Sequence, residues 1–165
     1  MTRTKTVELG TNGVAELQKW LDDYKKWIDQ KTQQFVDALA ERGCHIAQIH
    51  FSSATYDGDN DVAVKVEKRG DNAAAVIATG KATLFIEFGA GYMLGFGHPE
   101  PQSFGPGTYP GKGHWDDPGG WYLPKSVQEA TGQKKSFGNP PAAPMYVAVK
   151  DLEMELERIA REVFA

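Results

Sequence analysis

The sequence has little of three things that would each point to a class of protein. It has one cysteine, Cys44, so no intramolecular disulfide can form, which fits a reducing compartment. It has no basic surplus: 18 lysines and arginines stand against 22 acids, which argues against a sequence-specific nucleic-acid partner. It has no run of about 18 apolar residues and no signal-peptide core, so we expect neither a membrane span nor a membrane partner.

The remaining composition is that of a globular protein. Hydrophobic residues make up 41% and charged residues 24% of the 165 positions. A chain of this length predicts a single domain over 1–165, with a core large enough to need no disulfide or metal. Cys44 follows a helical pattern, so we expect a buried, inert thiol rather than a nucleophile.

The first half of the chain predicts a long helix and a small antiparallel meander, an α+β fold. Residues 1–10 are polar and suggest a loose arm. Apolar residues then recur in steps of three and four from Val14 to Leu39, which predicts an amphipathic helix over 14–42, capped by Thr11 or Asn12 and ended by Gly43. Three strands packed under this helix are expected at His45–Tyr56, 62–67 and Ala73–Thr79.

Two tryptophans of the predicted helix share one stripe beside its core face. Trp20 and Trp27 are seven residues apart, which places them on the same side of a helix. Such a stripe fits a wide contact with the core. It fits equally a subunit interface, where tryptophan is enriched.

The segment Lys81–Gly91, KATLFIEFGAG, is predicted to anchor the long loop that comes after it. Residues 81–88 indicate a short buried helix with one acid, Glu87, and Gly89 ends it. A buried carboxylate without a partner is costly. We therefore expect backbone amides or a basic residue to satisfy Glu87.

Residues 89–139 differ from the rest of the chain and predict a long extended loop. They hold twelve of the 18 glycines and six of the nine prolines. Loops of this length in compact domains are functional or disordered, and the many aromatics here, among them Trp115, Trp121 and Tyr122, favour a loop that orders against its own sheet or against a neighbouring subunit. Residues 120–123 indicate a short strand cut off by Pro124.

The chain ends with a rigid lead-in and a second helix. The lead-in, residues 139–144, contains Pro140, Pro141 and Pro144, which restrain the backbone to an extended form. The last helix is predicted to start at Pro144 or Met145. Its apolar stripe faces the core, and its glutamates face mostly outward.

No catalytic or metal-binding constellation is evident in the sequence. The long loop contains His98, His114, Asp116 and Asp117, but the spacing of the two histidines matches no known ligand pattern, and the four fit polar residues on an exposed loop. The glycines of the loop do not form a phosphate-binding motif with a following helix. No enzyme activity and no cofactor are predicted.

Two segments resemble a family signature. Residues 84–91, LFIEFGAG, resemble the apolar–Glu–Phe–Gly–small–Gly signature of the tail-completion, or head–tail joining, proteins of long-tailed double-stranded DNA phages and prophages. Residues 138–146, GNPPAAPMY, and the helix after them resemble the end of that family. The signature residues carried over to this chain are Glu87, Phe88, Gly89, Gly91, Pro140, Pro141 and Pro144.

The resemblance implies a structural virion protein at the neck or tail. Such proteins join the tail to the head, or complete it, as a ring of identical subunits, in contact with other head–tail or tail-tube proteins. The implied location is the virion, with assembly in the bacterial cytoplasm. The loop 92–137 would reach a neighbouring subunit or the tail tube, with Trp115, Trp121 and Tyr122 as its anchors.

Two other functions remain open from the residues. One is a monomeric binding module whose aromatic loop grips a glycan or peptide. The other is a small metal-dependent hydrolase that uses His98, His114 and Asp116.

Overall fold

The computed structural model describes residues 4–7, 10–54, 60–91, 98–99, 119–123 and 125–165. It confirms the α+β class: a long N-terminal helix packs on a small antiparallel sheet, followed by a short buried helix and a C-terminal helix. The elements in chain order are α1 Thr11–Ser52, β1 Ala63–Lys68, β2 Ala74–Thr79, α2 Thr83–Phe88, β3 Ala90–Gly91, β4 Trp121–Tyr122, α3 Lys125–Thr131, β5 Lys135–Ser136, β6 Gly138–Asn139 and α4 Pro144–Phe164.

Helix α1 continues well beyond its predicted end. Its 42 residues span about 63 Å at 1.5 Å per residue. Gly43, expected to end the helix, lies inside it, where a Cβ would stand 2.7 Å from Leu152 Cδ1 of α4. The glycine therefore permits close packing of two helices. The predicted caps were also wrong, because Gly10 is the N-cap and has no side-chain hydrogen bond.

The strand predicted at His45–Tyr56 is helical through Ser52. The buried residues in and before this stretch recur at helical intervals: Ala40, Cys44, Ala47 and Phe51. The helix ends where Asn60 Nδ2 donates hydrogen bonds to the carbonyls of Phe51 and Ala54. In the part of the chain that the structure describes, the expected three-stranded meander therefore has two strands.

Strands β1 and β2 pair antiparallel, with Val64 opposite Ala78 and Val66 opposite Val76. Alternation places Val64 and Val66 on one face, and Val64 belongs to the buried core. Helix α1 packs on this sheet, and Gln48 Nε2 donates to the Val64 carbonyl. The pattern of one wet and one dry face was predicted from the sequence and is confirmed.

The core lies where α1, β1, α2 and α4 meet. Its members are Cys44, Ile46, Ala47, Phe51, Val64, Ala82, Ile86 and Ala148. Cys44 is buried as expected, and burial raises the pKa of its thiol.

Helix α4 runs antiparallel along the middle and C-terminal part of α1. Arg42 of α1 donates to the Glu155 carboxylate, and Phe164 packs its ring against Phe35 and Trp27. Lys31, the polar position in the apolar stripe of α1, donates its ammonium to the Val163 carbonyl in the last turn of α4.

Candidate assembly site

The segment 84–91 folds as most of α2 and the turn after it. The start of α2 is held by Asp61, whose carboxylate accepts hydrogen bonds from the main-chain N–H groups of Lys81 (2.7 Å) and Ala82 (2.9 Å). These amides lower the pKa of Asp61, Ala82 most strongly. Asp61 precedes β1, so this contact fixes the signature to the sheet.

Glu87 at the end of α2 caps the start of α4. Its side-chain oxygens accept hydrogen bonds from the main-chain N–H groups of Met145 (2.8 Å) and Tyr146 (3.1 Å). The N-cap of α4, Ala143, offers no side-chain acceptor and has a left-handed backbone (φ 50°). A glutamate far away in the sequence therefore supplies the cap, and its negative charge meets the positive end of the helix dipole. The predicted partner of Glu87 is confirmed as a pair of backbone amides.

The main chains of α2 and the lead-in are bonded as well. Ala142 N–H donates to the Ile86 carbonyl (2.8 Å), and Ala143 N–H donates to the Glu87 carbonyl (3.1 Å). These two carbonyls end α2 and have no intrahelical donor of their own. Glu87 thus receives amide hydrogen bonds at both its main chain and its side chain. The lead-in and α2 form one rigid joint.

His98 lies beside this joint. Its Nε2 is 3.8 Å from Glu87 Oε1, and its ring packs against the rings of Phe88 and Tyr146 at 5.3 and 5.7 Å between centroids. His98 is 5% exposed. The expectation of a polar residue on an exposed loop was wrong for His98, because it returns from the long loop into the core beside Glu87.

Gly89 lets the lead-in cross directly over the end of α2. Its φ is +80°, and a Cβ there would stand 2.5 Å from the Asn139 carbonyl oxygen and 2.9 Å from Pro141 N. Just beyond it, Ala90 pairs with Asn139 and Gly91 with Gly138 across β3 and β6. The loop 89–139 thus begins and ends at one point on the core.

The three prolines of the lead-in differ in burial. Pro140 is exposed, Pro141 is half-buried against Gly89, and Pro144 is fully buried at the first turn of α4. Proline suits the first turn of a helix because it lacks an N–H that would need a partner.

The later part of the long loop is folded rather than extended. β4 pairs with β5, with Trp121 opposite Ser136 and Tyr122 opposite Lys135, which confirms the predicted short strand. Helix α3 joins the two strands and was not predicted. We call residues 119–137 the tongue. Its Tyr122 is 72% exposed, with Lys135 Nζ 5.0 Å from its ring centroid.

The two tryptophans of α1 belong to one aromatic ladder. Trp20 stacks on Tyr24 with centroids 5.3 Å apart, and Tyr24 stacks on Trp27 at 5.7 Å. Trp27 also meets Phe164 edge-on. The shared stripe predicted from the spacing is confirmed, whereas Tyr24 and Phe164 were not assigned to it. Trp115 lies outside the described residues.

The described residues contain no site for the hydrolase alternative. Among them, no three histidines, cysteines or acids come together as a metal site. His114 and Asp116 lie outside the described part, so that part of the hypothesis stays untested. None of the described helices is long and apolar enough to cross a membrane.

Some residues that hold the elements together were not predicted from the sequence. Asp61 had no predicted role, yet its carboxylate accepts the main-chain N–H groups of the two residues just before α2. Arg42 and Glu155 form the polar contact between α1 and α4. Local sequence patterns do not reveal these contacts, because the two partners of each contact lie far apart in the sequence.

Neither a protein-family model, nor a curated protein, nor a solved structure matches the chain.

Proposed function

We propose that the protein is a structural virion protein that joins or completes a phage tail at the head–tail interface, as a ring of identical subunits. The support from the sequence is the resemblance of residues 84–91 and 138–146 to the tail-completion signature. The proposed partners are further copies of this chain and other head–tail or tail-tube proteins. The proposed locations are the virion and, during assembly, the host cytoplasm.

The observation that carries the proposal is the engagement of the signature glutamate. Both oxygens of the Glu87 carboxylate accept amide hydrogen bonds at the start of α4, and the residue is 5% exposed. A carboxylate buried and bonded in this way holds two elements together. The signature is therefore suited to fixing the root of a loop on a rigid core, as an assembly protein needs.

The tongue is the part that we propose to reach a neighbouring subunit. Tyr122 and Phe137 are exposed on it, at 72% and 51%. Exposed aromatics of this kind are common anchors of interfaces. A ring requires that one face of a subunit meet a different face of the next. The tongue would supply the first of these faces.

The test is the assembly of variants in the tongue. Tyr122→Ala combined with Phe137→Ala should shift gel-filtration and negative-stain particles from rings to smaller species. Gln133→Ala, an exposed polar change in the same tongue, is the matched control and should leave assembly unchanged. Wild-type assembly by the double variant would contradict the role of the tongue. A monomer that binds a glycan through Tyr122 would favour the binding module instead.

A further inference from the structure

The N-terminal part of α1 projects beyond the end of α4. Phe164, the last helical residue of α4, packs against Trp27. From Lys26 back to Thr11, α1 continues for about sixteen residues, or about 24 Å. We call residues 11–26 the projecting segment. A lone helix of this length is marginal in water, so a partner would stabilise it.

The projecting segment exposes an apolar face. Val14 is 62% exposed and Leu21 50%, and Ile28 just beyond the segment is 38% exposed. Leu17 and Tyr24 lie on the same face and are half-buried. The five residues are spaced by three and four, as in the seam of a coiled coil.

This face is continuous with the contact between α1 and α4. The same three-and-four spacing continues from Ile28 to Lys31 and Phe35, and these two contact Val163 and Phe164 of α4. Helix α4 therefore covers the seam from Lys31 onward. The exposed part of the seam is the continuation of an interface that already exists within the chain.

The charges of the projecting segment lie away from the seam. The positions that flank the seam are Gly13, Gln18, Trp20, Lys25 and Trp27, and of these only Lys25 is charged. The other charges lie on the opposite side of the helix: Glu16, Lys19, Asp22, Asp23 and Lys26. Lys5 of the N-terminal arm lies 3.8 Å from Glu16, on this charged side. If the seam of a second copy packed against this seam, no like charges would meet at the centre of the contact.

We propose that the projecting segments of two copies pack against each other antiparallel, as an isologous dimer contact. A parallel pair is blocked, because the α4 helices of both copies would occupy the same seam just beyond the contact. In an antiparallel pair, the second copy lies in line with α4 and follows its C-terminal end. Each copy then covers the part of the seam that α4 leaves open.

The heptad pattern and the end of α4 at Lys31 and Phe35 together select a register for this pair. Leu17 faces Leu21 of the second copy, and Val14 faces Tyr24 of the second copy. Along one edge of the contact, Trp20 faces Trp20 of the second copy near the two-fold axis. Along the other edge, Gln18 faces Gln18 of the second copy. Trp27 lies opposite Gly13 of the second copy, which leaves room for the indole ring.

This contact goes beyond the proposed ring. It closes after two copies, whereas a ring needs head-to-tail contacts. The two claims can therefore fail separately: rings without this contact, or this contact without rings.

A disulfide across the two-fold axis tests the proposal. Gln18→Cys in the full chain should form a reducible dimer under mild oxidation, because the two thiols face each other. Lys19→Cys, one residue along but on the charged side, is the matched control and should remain unlinked. The unmodified protein is the blank, since its one thiol, Cys44, is buried.

A second variant measures the seam itself. Leu17→Glu together with Leu21→Glu should weaken the dimer about 100-fold or more, because the contact would bury unpaired charges. Both positions lie outside the core, so circular dichroism should still show a folded body. Equal crosslinking of Gln18→Cys and Lys19→Cys, or an unchanged dissociation constant in the double variant, would overturn the proposal.

Discussion

Glu87 connects α2 to the lead-in and to the start of α4. Its side chain caps α4, and its main-chain carbonyl accepts from the lead-in. The buried carboxylate needed partners, and the sequence predicted this from the cost of burying charge. It could not predict which amides, because the partners lie 58 and 59 residues away.

Glu87→Gln should lower the free energy of unfolding by about 1–2 kcal/mol. The amide keeps the size of the side chain but removes the charge and leaves one acceptor oxygen for two N–H groups. Urea denaturation measures the change. Glu153→Gln, an exposed position of α4, should cost under about 0.5 kcal/mol. Equal losses in the two variants would contradict the role of Glu87 as the cap.

Gly89 and Gly132 form a natural pair for separating backbone strain from close packing. Both have a positive φ, +80° and +73°, but a Cβ at Gly132 would meet nothing within 4 Å, whereas a Cβ at Gly89 would stand 2.5 Å from the Asn139 carbonyl oxygen. Gly132→Ala should cost about 1 kcal/mol from backbone strain alone. Gly89→Ala should cost about 2–4 kcal/mol, because steric overlap adds to the strain. Thermal and urea unfolding would measure both, and similar costs would refute the close crossing at Gly89.

At the scale of elements, periodicity predicted the helices better than their ends. Both predicted helices are present, but their apolar stripes are buried only in part. Val14, Leu21 and Ile28 of α1 and Val149 and Leu156 of α4 are exposed. The end of α1 was misplaced because glycine serves two physical purposes, ending a helix and admitting a neighbour. At Gly43 the second applies, and the neighbour, Leu152, lies in the last helix of the chain.

For the candidate site, local patterns were predicted and long-range contacts were not. The spacing of Trp20 and Trp27 placed them on one stripe, and the glycines of the signature indicated a turn. The folded tongue and the position of His98 depend on contacts between distant segments. Local sequence patterns carry no information on such contacts.

The contact between α1 and α4 should make stability depend on pH in the acid range. Hydrogen bonds from Arg42 and then Arg158 lower the pKa of Glu155 to about 2, from 4.5 in the unfolded chain. A depressed carboxylate pKa adds stability that is complete above about pH 4.5 and is lost as the pH falls toward 2. The main-chain amides of Ala82 and Lys81 likewise lower the pKa of Asp61, so this contact also adds stability that is lost as the pH falls.

Glu155→Gln should therefore flatten the fall in unfolding free energy between about pH 4.5 and 2, relative to wild type. Urea titrations at a series of pH values measure this slope. Glu153→Gln, on the same helix, keeps the pair between Arg42 and Glu155 intact and should retain the wild-type slope. A wild-type slope in Glu155→Gln would contradict the assignment.

At the scale of the whole molecule, three features suit an assembly component. The long loop leaves and returns at one rigid joint, the tongue exposes aromatic side chains, and the projecting segment of α1 exposes a seam. The tongue and the seam are surfaces that a single subunit leaves open. The central claim is that copies of this chain close these surfaces by associating.

Mass by light scattering over a concentration series of the wild-type chain tests this claim most directly. Association of this kind predicts a mass that rises from that of the 18.1 kDa subunit, through a dimer, toward a closed ring as concentration increases. A mass equal to one subunit at every concentration would contradict it.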